Sequence, residues 1–375
     1  MVNWKEIRDS VSATHNRVYL ASAATGPLHP AAAKRMSEFQ QSLTEGADAY
    51  WPEFEAEISQ VRNDVAEFLN AKPHEITFTT STSLAMNFFA MILKSRSPTP
   101  KQLSILSMRD EFPSSTLPWL HHGFSVDFAQ SENGAYIESI LERQLKLEHR
   151  ILVSSHIQFA TGFRQDLQTL NRFSKNHDLT SVLNVTQSLG AFPVDASLFD
   201  FVSGSVHKWM MAGYGVSVCK ISEKYLSNPL PIHGWLSESN PEARTNDRVS
   251  RIEHEARALE VGTMPLMQIF AVGAVVRWIK DIGGIQKISD RILNLAEEAQ
   301  AKLRSAGLQL AYDFPSESNS GILIVQCADP QRVAGQLAKY KIHVSPRGKG
   351  IRLSLHFFND SRDIDRFIEA FKSLA

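Results

Sequence analysis

The chain of 375 residues predicts an α/β protein built on a mostly parallel sheet, followed by a smaller α+β region. Two observations carry this. Between residues 75 and 221, seven short apolar or β-branched runs alternate with spacers long enough for crossover helices, as expected of strands buried on both faces. From residue 222 the texture changes to a polar, turn-rich segment and then to long helical patterns and further strands, which describes a second, smaller layer.

The seven runs are "EITFT" (75–79), "LSILS" (103–107), "FSVDF" (124–128), "RILVSSH" (150–156), "SVLNV" (181–185), "DFVSGS" (200–205) and "GVSVCKI" (215–221). Beyond them, "NPLPIHGWLSESNPEARTND" (228–247) is turn-rich, and residues 267–307 read as two helices parted at Gly283-Gly284. "GILIVQC" (321–327) and "IRLSLHF" (351–357) are then strands, and "RVAGQLAKYKI" (332–342) and "SRDIDRFIEAFKSLA" (361–375) are helical. The expected division is an N-terminal segment 1–25 packing on the small domain, a large domain 26–250, and a small C-terminal domain 251–375 that includes a connecting helix.

Composition narrows the function. A net charge of −1 with evenly spread Lys and Arg offers no basic face for nucleic acid. Cys219 and Cys327 are the only cysteines, too few for a disulfide framework or a zinc site. The N-terminus carries charges where a signal peptide needs an apolar core, and no apolar run approaches the roughly 18 residues of a membrane span. A cytoplasmic protein acting on a small molecule is expected, with no nucleic-acid, membrane or metal partner.

In an open α/β sheet, ligands bind beyond the carboxyl ends of the strands. After "EITFT" comes "TSTSLAMNFFA" (80–90), where hydroxyls and the free N–H groups of a helix start suit either a phosphate or an ordinary N-cap. His156, Gln158, Asn184 and Gln187 follow later strands, as bound-ligand contacts or as satisfied buried polar groups. Lys208, in "SGSVHKWMMAGYG" (203–215), is either a snorkelling cation or a desolvated amine able to form a Schiff base with a carbonyl.

The chain resembles the class V aminotransferase-fold enzymes dependent on pyridoxal 5′-phosphate (PLP), the group of cysteine desulfurases, isopenicillin N epimerase-like proteins and kynureninase. The matching segments run in family order: "YLASAATGPLHP" (19–30), "ITFTTSTSLAMN" (76–87), "DEFPSSTLPW" (110–119), "SHIQFATG" (155–162), "VTQSLGAFPVD" (185–195), "DFVSGSVHKW" (200–209), "LEVGT" (259–263) and "IRLSLHFFNDSRDIDRFIEAF" (351–371). The resemblance implies PLP fold type I, with a mostly parallel seven-stranded sheet in the large domain. It makes Lys208 the catalytic residue that carries PLP as a Schiff base, preceded by His207. Thr82, Ser83 and Ser205 would hold the phosphate, Gln187 the ring hydroxyl oxygen, and Phe112 would stack on the ring. Gly262 and Thr263 would reach the phosphate of a neighbouring subunit, implying a homodimer. Arg352 would bind the substrate α-carboxylate, against a rival ion pair with Asp360 or Asp363.

Four departures matter. Asn184 stands where the family has the aspartate that keeps the pyridine nitrogen protonated, unless Asp195 substitutes for it. Ser81 and Leu84 replace a glycine and a glutamate of the phosphate loop, and Ala21 and Ser22 stand where Asn or Asp is common. Segment 344–354 lacks the nucleophilic cysteine of cysteine desulfurases, so that activity is expected to be absent. The expectation is a PLP-dependent transferase or lyase acting on an α-amino acid by transamination, epimerisation or elimination. The alternative is a degenerate relative with a binding or scaffold role.

Overall fold

The computed structural model describes residues 2–97, 103–227 and 229–374, so Asn228 at the head of the turn-rich segment lies outside them. The chain opens with α1 (Trp4–Ser10), the two-residue β1 (Val18–Tyr19), α2 (Pro30–Gly46) and α3 (Trp51–Phe68). The central region then runs β2 (Ile76–Thr79), α4 (Thr82–Ser95), β3 (Ser104–Met108), α5 (Pro113–His121), β4 (Val126–Ala129), α6 (Glu138–Gln144), β5 (His149–Ser155), α7 (Leu167–Asn176), β6 (Thr180–Asn184), β7 (Phe201–Ser205) and β8 (Ser217–Ile221). It ends with α8 (Leu266–Asp281), α9 (Ile285–Ser305), β9 (Ile322–Gln326), α10 (Pro330–Lys339), β10 (Ile342–His343), β11 (Ser345–Arg347), β12 (Gly350–Ser354) and α11 (Ser361–Lys372).

The seven expected runs form one seven-stranded sheet in the order β2-β8-β7-β6-β5-β3-β4. β4, β3, β5, β6 and β7 are parallel neighbours, whereas β8 is antiparallel to both β7 and β2. Two reversals restore direction, so the carboxyl end of β2 opens on the same sheet edge as those of β3, β5, β6 and β7.

Period-2 alternation covers both faces. Ile105, Ile151, Val153, Val182 and Phe201 enter a core shared with α4 and α5. Their neighbours Leu106, Met108, Leu152, Leu183 and Val202 enter a second core with α2, α3 and α8. That is why these runs read as continuously apolar rather than alternating.

A separate antiparallel sheet, β11-β12-β9, is covered by α9, α10 and α11 around a third core. The N-terminal segment joins it: β1 pairs in parallel with β10, and Ala21 bridges to Ser354. The Arg8 guanidinium donates to both carboxylate oxygens of Asp363 and to the Phe358 carbonyl, at 2.7–2.9 Å, pinning α1 to the start of α11. No described helix is long and apolar enough to cross a membrane.

Candidate active site

The shared strand edge opens into a cavity of about 370 Å³, lined by residues from all five of those strand ends, from Ala23 and Ala24, and from Arg347 and Arg352 of the small sheet. Lys208, Thr82, Ser83, Phe112, Asn184, Gln187, Ser205, His207 and Arg352 all line it. Gly262 and Thr263 do not. Thr263 lies instead in a surface hollow with Phe39, Leu43 and Met264, where a single chain cannot bring it to this cavity.

Lys208 follows β7 through a turn against which the N-terminal segment is packed. The Gly26 N–H donates to the His207 carbonyl at 2.9 Å, and a Cβ at Gly26 would lie 2.0 Å from the Lys208 carbonyl oxygen, so only glycine allows that approach. The Lys208 Nζ lies over the Phe112 ring, 5.4 Å from its centroid. Burial, helped by the like charges of Arg352 and Arg347, lowers this ammonium to about 8. A snorkelling lysine would escape such desolvation. His207 stacks on Tyr214 at 4.9 Å, and burial together with Lys208 lowers it to about 4, leaving a neutral ring at pH 7.

The start of α4 supplies an anion cradle. Ser81 is its N-cap, its hydroxyl accepting from the Leu84 N–H, which gives the serine in place of glycine a local function. Thr82 Oγ1 sits among the hydroxyls of Ser205 (2.8 Å), Ser217 (3.1 Å) and Thr186 (3.2 Å). Free N–H groups, the helix dipole and this hydroxyl cluster together suit a phosphate.

Polar side chains on neighbouring loops are held firmly. Gln187 donates to the Ala23 carbonyl (3.0 Å) and accepts from the Trp209 indole N–H (2.8 Å). Asn184 accepts from the Thr186 N–H (2.9 Å) and donates to Ser115 Oγ (2.8 Å), so its amide is fixed with one N–H still available. Asp195 does not replace it. That carboxylate caps residues 196–198 and accepts from Asn70 outside the cavity.

Arg352 is 1 % exposed. One nitrogen, Nη1, donates to the Phe159 carbonyl at 3.0 Å; Nε and Nη2 are buried without a partner. Burial first, then Arg347, pulls this guanidinium down from the arginine range. The rival ion pair is not formed, because Asp360 and Asp363 hold Arg8 and Arg362. A buried cationic fork with two free donors is shaped for a carboxylate.

Among the lining residues that the sequence does not single out are Phe159, whose ring meets Phe112 edge-on at 5.2 Å, and Arg347. The Glu111 carboxylate is buried behind the cavity, accepting from Ser155 N–H (2.6 Å), Ser155 Oγ (2.5 Å) and Gln158 Nε2 (2.9 Å). Its carboxyl is raised by burial, against which these donors and the Ser115 hydroxyl act. Through Ser115 it is two hydrogen bonds from Asn184.

A desolvated lysine, a phosphate cradle and a carboxylate fork, gathered at one edge of this sheet, define a PLP-dependent enzyme of fold type I. The hydroxyl cradle at the start of α4 and the desolvated Lys208 amine in the same cavity fit a phosphate-bearing aldehyde such as PLP. The chain belongs to the aminotransferase class-V family, whose model matches residues 18–367. It is 25% identical, over 99% of its length and 98% of the relative's, to a protein of Methanothermobacter thermautotrophicus named probable cysteine desulfurase. It is 24% identical to isopenicillin N epimerase of Streptomyces clavuligerus, covering 100% of this chain and 99% of that one. A cysteine desulfurase structure from Thermococcus onnurineus NA1 superposes with a TM-score of 0.89, at 21% identity over 100% of this chain and 98% of that one.

These likenesses overturn the expected exclusion of cysteine desulfurase activity. Proteins of that name align with the chain end to end. The missing loop cysteine was too narrow a criterion. It concerned a single position of the small sheet's hairpin, whereas the likeness extends over the whole chain.

Proposed function

We propose that the protein is a PLP-dependent enzyme acting on a small α-amino acid, with cleavage at a sulfur-bearing side chain supported by the names of its relatives. The observation that carries this is the pairing, in one cavity, of the desolvated Lys208 amine with the buried, half-unpartnered Arg352 fork. When bound, PLP supplies the electron sink that makes a Cα bond of an amino acid labile.

The chain's own groups do the rest. The α4 start, with Thr82, Ser83 and Ser205, would hold the cofactor's phosphate, and Phe112, whose ring lies under Lys208 Nζ, would pack against its ring. Arg352 fixes the α-carboxylate, which sets the orientation of the Cα–H bond and thereby which bond breaks. Lys208 Nζ, uncharged at mildly alkaline pH, takes the Cα proton and can return it. Asn184 would offer the cofactor an amide N–H rather than a carboxylate, and so no charge to strengthen its electron demand. An amide at this position would favour loss of a leaving group from Cβ over full amino-group transfer.

The protein works as a homodimer in this proposal, with Gly262 and Thr263 of each chain completing the neighbour's phosphate site. The test of the whole is optical. Protein loaded with PLP should be yellow, borohydride should fix the cofactor to Lys208, and amino acids should perturb the band. Colourless protein that takes up no PLP would falsify the enzyme assignment; sedimentation as a monomer would remove the shared phosphate site.

A further inference from the structure

The cavity carries one more cation than an ordinary amino acid needs. Its lining holds Lys208, Arg347 and Arg352, and no acidic residue. Lys208 is committed to the cofactor and the phosphate is met by hydroxyls and backbone N–H groups, so a neutral-side-chain amino acid would engage only Arg352.

The register of the small sheet fixes where the second arginine lies. Arg352 is paired with Ser345, and Arg347 with Gly350. Arg347 is therefore the diagonal neighbour of Arg352 on the same face, with Cα atoms roughly 7–8 Å apart. Gly350 presents no side chain across from it, and Lys349 turns away to lie over the Tyr312 ring, 5.8 Å from its centroid. Arg347 forms no ion pair with any described carboxylate. Arg352 is buried and Arg347 exposed, so the two guanidinium groups run from the depth of the cavity to its mouth.

We propose that Arg347 is a side-chain subsite selecting α-amino acids whose side chain ends in an anion, either a carboxylate-type or a sulfur anion, while Arg352 holds the α-carboxylate. The inference rests on the amino-acid function proposed above. A side-chain anion there would neutralise a charge that otherwise repels Arg352, so binding and the like-charge stress on the fork are relieved together.

The experiment titrates the cofactor band of the PLP-loaded protein with L-alanine, L-asparagine, L-aspartate, L-cysteine sulfinate and, across pH 7 to 9, L-cysteine. The wild type should half-saturate with L-aspartate or the sulfinate at least about tenfold below L-asparagine. Alternatively, it should do so with L-cysteine, with affinity rising as the thiol ionises near its ordinary value of about 8.5. The first result assigns a carboxylate-type anion, the second a sulfur anion. In Arg347→Gln the anionic-to-neutral ratio should fall to about one, and in Arg347→Lys part of it should return. Equal binding of L-aspartate and L-asparagine together with L-cysteine binding that ignores pH, or a ratio untouched by Arg347→Gln, overturns the subsite. If L-alanine perturbs the band while no preference appears, only the subsite falls. If no amino acid perturbs it, the amino-acid function falls as well.

Discussion

At the scale of single residues, the site depends on charges that the fold holds at a cost. Arg352 has two donors with no protein partner, and only a bidentate ligand satisfies both at once. Arg352→Lys keeps the charge but loses the fork, and amino-acid half-saturation should rise about tenfold or more, read from the cofactor band. Glu111 is the converse case, an acid whose hydrogen bonds are all supplied internally. Glu111→Ala strands Ser155 N–H, Ser155 Oγ and Gln158 Nε2 and should destabilise the fold by about 3 kcal/mol. The denaturant midpoint should fall with an unchanged slope; an unshifted midpoint would mean that water reaches those donors. The positions of Glu111 and Arg347, one behind the cavity and one at its mouth, were not legible, because each lies in a charged turn, "RDEFP" or "SPRGKG", where solvent is the default partner. Asn184 was legible because its neighbours matched a pattern and it did not.

At the scale of elements, the helix start after β2 and the hairpin of the small sheet divide the work. α4 brings its small, hydroxylated first turn to the cavity, and its Thr82 side chain ties the loop after β6 to the adjoining ends of β7 and β8 through Thr186, Ser205 and Ser217. Thr82→Val keeps the shape and removes the hydroxyl. It should weaken PLP binding about tenfold, consistent with roughly 1.5 kcal/mol for a hydrogen bond to a charged group, while Thr82→Ser should restore most of it; equilibrium dialysis decides. The strands that carry the site were readable as short apolar runs because each is buried on both faces. β1 and β10 were not separable, since two residues cannot show a period, and β11 was hidden in a polar hairpin whose pairing with β12 is set by backbone rather than by side-chain pattern.

At the scale of the whole molecule, several imidazoles are sealed inside the structure. Burial lowers His156 and His356 to about 3 and His29 to about 4, with like charges from Arg164 and His29 adding to the first two. His356 is neutral by construction, one ring nitrogen facing the Trp209 carbonyl at 2.9 Å and the other accepting from the Phe357 N–H at 2.8 Å. Depressed folded values mean that the unfolded chain takes up protons first as pH falls below 6.5, so their contribution is intact above that pH and drains away toward pH 3. By pH 5 each withholds up to about 2 kcal/mol, and the melting temperature should drop steeply between pH 7 and 5. His356→Gln should flatten that slope; an unchanged slope would place the acid sensitivity in the carboxylates instead. No single segment predicts this. It follows from three histidines at element ends, the cap of α2 and the residues just beyond β5 and β12, that tertiary packing buries together with their ring nitrogens.

The bond between the Trp209 indole and Gln187 has a practical consequence. Trp209 is 1 % exposed, adjoins Lys208 in the chain, and touches a cavity-lining amide. Its emission overlaps the absorption expected of a bound PLP chromophore, so excitation energy should pass from indole to cofactor whenever the site is filled. The protein would thus carry its own fluorescent occupancy gauge, and Trp209→Phe would mark which part of the quenching it reports.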